Sequence, residues 1–307
     1  MTDYAALLKA SMPVQSLDSV RSVTRGNPQN LRNLFFQLTL AFNQVSAVWE
    51  ENSRLICSAQ AVNLSGEPSG QLTFLATEPE CTPEAITGIL ENLIQASGTW
   101  QVRYLLCDLP VDSDFLPSFR RADFNIWARQ RLFCFTGTIA SPDSTKYPWH
   151  SWNSNDIKAM MGLHRNLVPK LFQNIEPLTR QSMLGLVLYD ERNTLLGYAD
   201  LEYGPRGIWV QPFLLPEADD PQILLDLLAH LPATFQRPVS ICARSYQPWL
   251  EDMLSQLPAE AGEEQALLVH YLVIQEKLGQ ALQSRVFETY HNDGSVPAIQ
   301  TSNKRSF

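Results

Sequence analysis

Gly207-Ile208-Trp209-Val210-Gln211-Pro212 is followed by an acidic loop, Pro216-Glu217-Ala218-Asp219, and then by Asp220-Pro221-Gln222, which opens an apolar run to Leu231. Gln71-Leu72-Thr73-Phe74-Leu75-Ala76 leads in the same way through Thr77-Glu78-Pro79-Glu80-Cys81 to Thr82-Pro83-Glu84 and an apolar run to Leu93. Each stretch predicts a strand, a short loop and a helix. Thr82 and Asp220 can accept a hydrogen bond from an orphan N–H at a helix start, and Pro83 and Pro221 stand where a missing N–H costs nothing. Ile86, Ile89, Leu90 and Leu93 match Leu224, Leu227, Leu228 and Leu231, the i, i+3, i+4, i+7 stripe of a helix lying on a sheet. Position 221 minus position 83 gives an offset of 138 residues, the size of a domain rather than of a solenoid repeat.

The repeat extends outward from these stretches. Val45–Trp49, the turn Glu50-Glu51-Asn52-Ser53 and Arg54–Asn63 predict a hairpin, and Leu184–Tyr189, Asp190-Glu191-Arg192-Asn193 and Thr194–Tyr203 repeat it. Downstream, Val102 aligns with Val239, Phe115-Leu116 with Trp249-Leu250, and Gln130-Arg131-Leu132-Phe133 with Gln265-Ala266-Leu267-Leu268. Asp156 reads as the cap of a helix broken at Pro169, followed by a second turn or two of helix from Lys170 to about Ile175, in a helical segment reaching Leu178. The order of elements is kept and the offset drifts only slightly, so the chain divides into 1–140, a linker at 141–149, a second unit at 150–279 and a tail at 280–307. Ahead of the first hairpin, Tyr4–Lys9 reads as a short helix, Ser19–Thr24 as a strand and Leu31–Ala41 as a helix.

Composition narrows the partners. The 307 residues carry a net charge of −9, which argues against nucleic acid and against an anionic membrane surface, both of which need a basic footprint. No apolar run approaches the ~20 residues of a membrane span. Cysteines at 57, 81, 107, 134 and 242 form no CxxC pair, and the five histidines form no His-x-x-x-His pair, so the reading is reduced thiols in a cytoplasmic protein without a metal site.

The order hairpin, strand, loop, helix, strand, helix, closing strands resembles the GNAT superfamily of acyl-CoA-dependent N-acyltransferases. Val210-Gln211-Pro212 stands where that family's fourth strand often ends in Val-x-Pro. Leu195-Leu196-Gly197-Tyr198-Ala199 looks like its third strand, and Arg120-Arg121-Ala122-Asp123-Phe124 resembles the turn after its last helix. The resemblance covers roughly 45–140 and 150–276. It implies an α/β fold of two GNAT-like domains, each a mixed, mostly antiparallel sheet flanked by helices. A splayed parallel pair would form the ligand cleft near Phe74 and Tyr104 in one copy and Val210 and Ile241 in the other.

The same resemblance implies transfer of an acetyl or acyl group from acetyl-CoA or another acyl-CoA to an amine. Glu202 would then be the base and Tyr246 the acid. Trp209, Val210 and Gln211 on the strand, with Asp220 and Gln222 at the helix start, would line the cofactor. The sequence departs from the family at one point. Between Pro212 and Pro221 there is neither a glycine nor an arginine, and Glu217, Asp219 and Asp220 replace the phosphate-binding loop. A carboxylate ~7 Å from a phosphate costs about 2 kcal/mol at an effective dielectric near 20. The competing expectation is therefore a catalytically inactive scaffold that binds a small molecule or a protein partner.

Overall fold

The structure is a computed structural model and describes residues 12–26, 42–64, 67–136, 145–178, 184–231 and 237–272. The expected helices at Tyr4–Lys9 and Leu31–Ala41 and the tail at 280–307 lie outside the described residues. Everything described falls within one compact unit ending at Leu272. Among the described residues, no helix is long and apolar enough to cross a membrane.

Strand β1 is Val14–Ser16 and helix α1 is Ser19–Arg25; the hairpin β2 (Phe42–Glu51) and β3 (Arg54–Leu64) follows. Then come β4 (Ser69–Thr77), α2 (Pro83–Ser97), β5 (Tyr104–Pro110), α3 (Leu116–Arg121) and β6 (Asn125–Phe135). The second half begins with β7 (His150–Ser151) and α4 (Ile157–Leu167) and repeats the hairpin as β8 (Leu184–Tyr189) and β9 (Leu195–Tyr203). It continues with β10 (Ile208–Leu214), α5 (Gln222–His230), β11 (Val239–Arg244), α6 (Pro248–Ser255), β12 (Glu260–Ala261) and β13 (Gln265–Tyr271). From the hairpin onward both halves run β-β-β-α-β-α and then closing strands, the order read from the sequence.

Local chemistry explains most of these elements. Thr82 Oγ1 accepts from Ala85 N–H (3.2 Å) to cap α2, with Pro83 at its first position. The predicted stripe Ile86, Ile89, Leu90 and Leu93 is buried in the first core cluster, and Leu224, Leu227, Leu228 and Leu231 are buried in the second. Hairpin turns place Asn52, Ser53 and Asn193 at positive φ (50°, 62° and 60°), a conformation Asn tolerates well. Three local expectations fail. Residues 19–24 are helical rather than extended, because Asp18 accepts from Arg21 N–H (3.0 Å) and caps the helix. Asp156 stands at the N-cap position of α4, but its side chain makes no cap; the carboxylate takes Asn153 N–H (2.8 Å) and the Tyr189 hydroxyl (2.8 Å) instead. Helix α4 ends at Leu167, ahead of Pro169 as expected, but the segment after Pro169 forms hydrogen-bonded turns in place of a second short helix.

The strands make one sheet in the order β2-β3-β4-β5-β13-β6-β11-β10-β9-β8-β7, with β1 on β4 and β12 on β6. The two halves exchange their last strands. β13 lies between β5 and β6 of the first half, and β6 lies between β13 and β11 of the second. Gln130 and Gln265, which the sequence repeat already aligns, face each other as register partners where the exchanged strands meet. Helices α2, α3, α5 and α6 pack on one face of this sheet, over the two largest core clusters. On the other face lie α1, α4 and the turns at 170–176.

Candidate functional site

The strands that should part to form a ligand cleft do part, in both halves. β4 and β5 pair in parallel only from Ser69↔Tyr104 to Gln71↔Leu106, and β10 and β11 only from Ile208↔Val239 to Val210↔Ile241. The second splay opens where expected, beyond Val210 and Ile241. In the first, Phe74 is not beside Tyr104, because Tyr104 is paired back at Ser69 and Phe74 lies in the open part.

The chain itself fills both openings. In the first half, β1 adds to the free part of β4 with Val14↔Ala76, Gln15↔Leu75 and Ser16↔Phe74 in register. Thr77 N–H donates to Pro13 C=O (3.2 Å) and Leu17 N–H donates to Thr73 C=O (3.0 Å). Leu17 C=O in turn accepts from Asp108 N–H (3.0 Å) on β5 and from Gln71 Nε2 (3.0 Å). Backbone thus bridges the two splayed strands. Leu17 and Met12 anchor it, with 0% and 4% of their surface exposed, each side chain worth about 1.5–3 kcal/mol of burial. The strap then crosses to the second half as α1. Val20 packs on Trp209 and Cys242, and Arg206 N–H donates to Thr24 C=O (3.0 Å) at the β9–β10 turn. A Cβ on Gly204 would stand 2.1 Å from Thr24 oxygen, so this approach requires glycine there.

In the second half a side chain does what β1 does in the first. The fully buried Gln247 donates from Nε2 to Pro212 C=O (3.1 Å) and accepts at Oε1 from Leu214 N–H (3.0 Å). Trp249 Nε1 donates to Leu214 C=O (3.1 Å). These are the β10 groups that lie beyond its pairing with β11. Replacing Gln247 by alanine leaves a buried N–H and C=O without partners. We expect a loss of about 1–3 kcal/mol, measurable as a lower urea midpoint at unchanged slope.

Beside this splay, on the α4 face, sits a buried ion pair that the sequence reading missed. Glu176 comes from the turns after Pro169, and Arg244 from the last position of β11; their side chains are 3% and 4% exposed. Arg244 Nε donates to Glu176 Oε2 (2.9 Å) and a terminal nitrogen to Oε1 (3.1 Å). Gln211 Nε2 (3.0 Å) and the Tyr246 hydroxyl (3.1 Å) also donate to Glu176. Burial opposes the Arg244 charge, but the Glu176 carboxylate together with Cys242 and Tyr246 holds the guanidinium above its ordinary pKa. Arg244 also donates to Gln130 Oε1, which links the pair to the strand-exchange seam. There Gln130 Nε2 reaches Gln265 Oε1 (2.7 Å) and Ser19 Oγ (3.1 Å), and Ser19 N–H meets Asp108 (2.9 Å). A cavity of about 20 Å³, room for a water molecule, lies among Asp108, Trp127, Gln130, Trp209 and Arg244.

The residues singled out from sequence are distributed over this frame. Tyr246 donates to Glu176, and burial, then the Glu176 charge, raises its pKa well above the ordinary value. Glu202 lies on β9 opposite Trp209 and pairs with Arg25 of α1 at 3.7 Å. Trp209 and Val210 are buried on opposite faces, Trp209 against α1 and Val210 in the core under α5. Gln211 belongs to the ion-pair network. At the α5 start, Asp220 accepts from Gln222 N–H (2.9 Å), Lys146 Nζ (2.7 Å) and the Tyr147 hydroxyl (2.9 Å). The Lys146 contact holds its carboxyl below the ordinary pKa. Gln222 Nε2 donates to Asp226 (2.8 Å), which also takes the backbone N–H groups of Lys146 and Tyr147. The helix end where a phosphate would approach thus holds the protein's own carboxylate and its counter-cation.

No protein-family model matches the sequence, and no curated protein matches it either. Solved structures do share its fold. A functionally unknown conserved protein from Staphylococcus epidermidis ATCC 12228 superposes with TM-score 0.52 at 14% identity, over 78% of this chain and 98% of that one. A GCN5-related N-acetyltransferase from Sphaerobacter thermophilus does so with TM-score 0.51 at 8% identity, over 85% of this chain and 96% of that one. A tandem GNAT protein from the clavulanic acid biosynthesis pathway gives TM-score 0.44 at 12% identity, over 77% and 85%. The fold is that of the GNAT acyltransferases: a large, mostly antiparallel mixed sheet flanked by helices.

Proposed function

We propose that this protein is a GNAT-fold scaffold that no longer transfers acyl groups and acts by binding a small molecule or a protein partner. The observation that carries this reading is the self-occupancy of both strand splays, by β1 in the first half and by Gln247 and Trp249 in the second. An acyl-CoA whose amide-bearing arm lay in such a cleft would have to bond to the free strand edge. Here every such bond must first displace an internal one, and exchanging like for like gains little. The acidic loops and the Asp220–Lys146 pair act in the same direction at the phosphate end. The division into a first unit at 1–140 and a second at 150–279, joined by 141–149, belongs to the same proposal. It describes a duplication whose copies have become one folding unit.

The rival reading is acyl-CoA-dependent transfer to an amine, with Glu202 as base and Tyr246 as acid. The shared fold favours it. It requires Gln247 to leave β10 and Tyr246 to leave Glu176. Calorimetric titration with acetyl-CoA and a long-chain acyl-CoA separates the two. We expect no saturable heat at millimolar ligand; saturation in the micromolar range, with acyl transfer to a test amine, overturns the scaffold reading.

A further inference from the structure

The two outer edges of the sheet are finished differently. At the end of the second half, β7 covers β8 through His150↔Val187 and Ser151↔Leu186, and Trp152 N–H donates to Gly185 C=O (3.2 Å). Gly185–Leu188 are buried there. At the other end stands β2, ten residues long, which among the described residues pairs with β3 alone. Gln44–Trp49 are half-buried throughout, in contrast to β8, so solvent reaches this edge. Every second residue on it turns its N–H and C=O away from β3, a row that another strand can pair.

The usual protections of an edge are missing from it. Phe42–Glu51 contains no proline, glycine, lysine or arginine, and its only charges, Glu50 and Glu51, stand at one end. The irregularity in the β2–β3 ladder leaves its extra residue, Ile56, on β3, so β2 itself runs regularly. Trp49 holds the strand from the helix side, where a Cβ on Gly88 of α2 would stand 2.7 Å from its ring.

We propose that this edge joins a second copy of the chain, β2 against β2, antiparallel about a two-fold axis at Ala47. The run Asn43-Gln44-Val45-Ser46-Ala47-Val48-Trp49-Glu50-Glu51 is close to self-complementary about that residue, as an isologous contact requires. Val45 falls opposite Trp49, a β-branched residue beside an aromatic ring, and Ser46 falls opposite Val48. Gln44 meets Glu50 and Asn43 meets Glu51, so an amide donor faces each carboxylate of both copies. A parallel pairing would lay the glutamates beside their own copies. Centring on Ser46 would set Asn43 against Trp49 and Gln44 against Val48. With the axis at Ala47 both copies keep α2 on the same face, so the sheet and its helical layer continue across the seam. The edge lies two strands from β4 and draws on neither splay, so the pairing stands whether or not acyl-CoA binds.

Sedimentation velocity of the full chain, from low to high micromolar concentration, tests this. We expect a reversible shift from monomer to dimer, with amide hydrogen exchange at 44–50 slowing as the dimer forms. Gln44→Glu sets like charges opposite each other twice per dimer. It should raise the dissociation constant roughly tenfold, with Tm at low concentration unchanged. Adding Glu50→Lys to that variant should restore pairing, because each new acid then faces a new base. A chain that stays monomeric at every concentration, leaving the edge to a strand of another protein, overturns the proposal. So does a dimer that slows exchange elsewhere than β2, or one indifferent to both variants.

Discussion

Arg244→Met should destabilise this protein by about 3–5 kcal/mol, the cost of leaving a buried carboxylate without its partner. Glu176 accepts four hydrogen bonds, two of them from Arg244, and both side chains are almost fully enclosed. With arginine gone, Gln211 and Tyr246 can still donate, but the guanidinium that faces the desolvated carboxylate is lost. Burial should then raise the Glu176 pKa above the ordinary carboxylate range, and stability should fall as pH rises from that range to the raised pKa and level off beyond it. Chemical denaturation across neutral pH reads both effects. A double variant, Glu176→Leu with Arg244→Met, removes both charges and should recover most of the loss. If Arg244→Met costs less than the double variant, the pair is not what holds the turns after Pro169 against β10 and β11.

Cutting the chain between the halves should not separate them. With a protease site placed at 141–144, the cleaved fragments are expected to co-elute on gel filtration and to melt in a single transition. The reason is the exchange of closing strands. β6 is bonded on both sides by strands of the second half, and β13 separates β5 from β6 in the first. Pulling the fragments apart would expose Phe133, Phe135, Leu267 and Leu268, all of them buried, together with the backbone edges of β5, β6, β11 and β13. Isolated edges of that length are aggregation-prone, so either fragment made alone should precipitate and the mixture should recover. Fragments that separate, each with its own cooperative transition, would mean that each half closes its own sheet.

The two expectations bear on one question, which is how a duplicated unit becomes a single molecule. Gln130 and Gln265 are aligned by the repeat, meet as register partners and bond to each other. Arg244 joins that seam to Glu176, and α1 reaches it through Ser19. The strap that fills the first splay therefore continues into the polar centre between the halves. Displacing it would disturb both.

The sequence by itself determined the local pieces: the Thr82-capped helix, the paired hairpins, the apolar stripes from Ile86 and Leu224, and the order of elements that marks a GNAT fold. These are properties of neighbouring residues, and periodicity or a single cap carries them. It also determined the missing glycines before α5, since absence is legible wherever a motif is local. Ser19–Thr24 misled because a few apolar positions fit a strand as well as a helix, and the Asp18 cap outweighed them. Only the tertiary structure decided which strand lies beside which, and what fills the openings. The bonds that close the splays join residues far apart in sequence, 33 positions from Leu214 to Gln247 and 64 from Pro13 to Thr77 (77 minus 13). No local pattern distinguishes the glutamine at 247 from a solvated one; it acquires its role when β10 and β11 part around it and leave a buried N–H and C=O that must be paired.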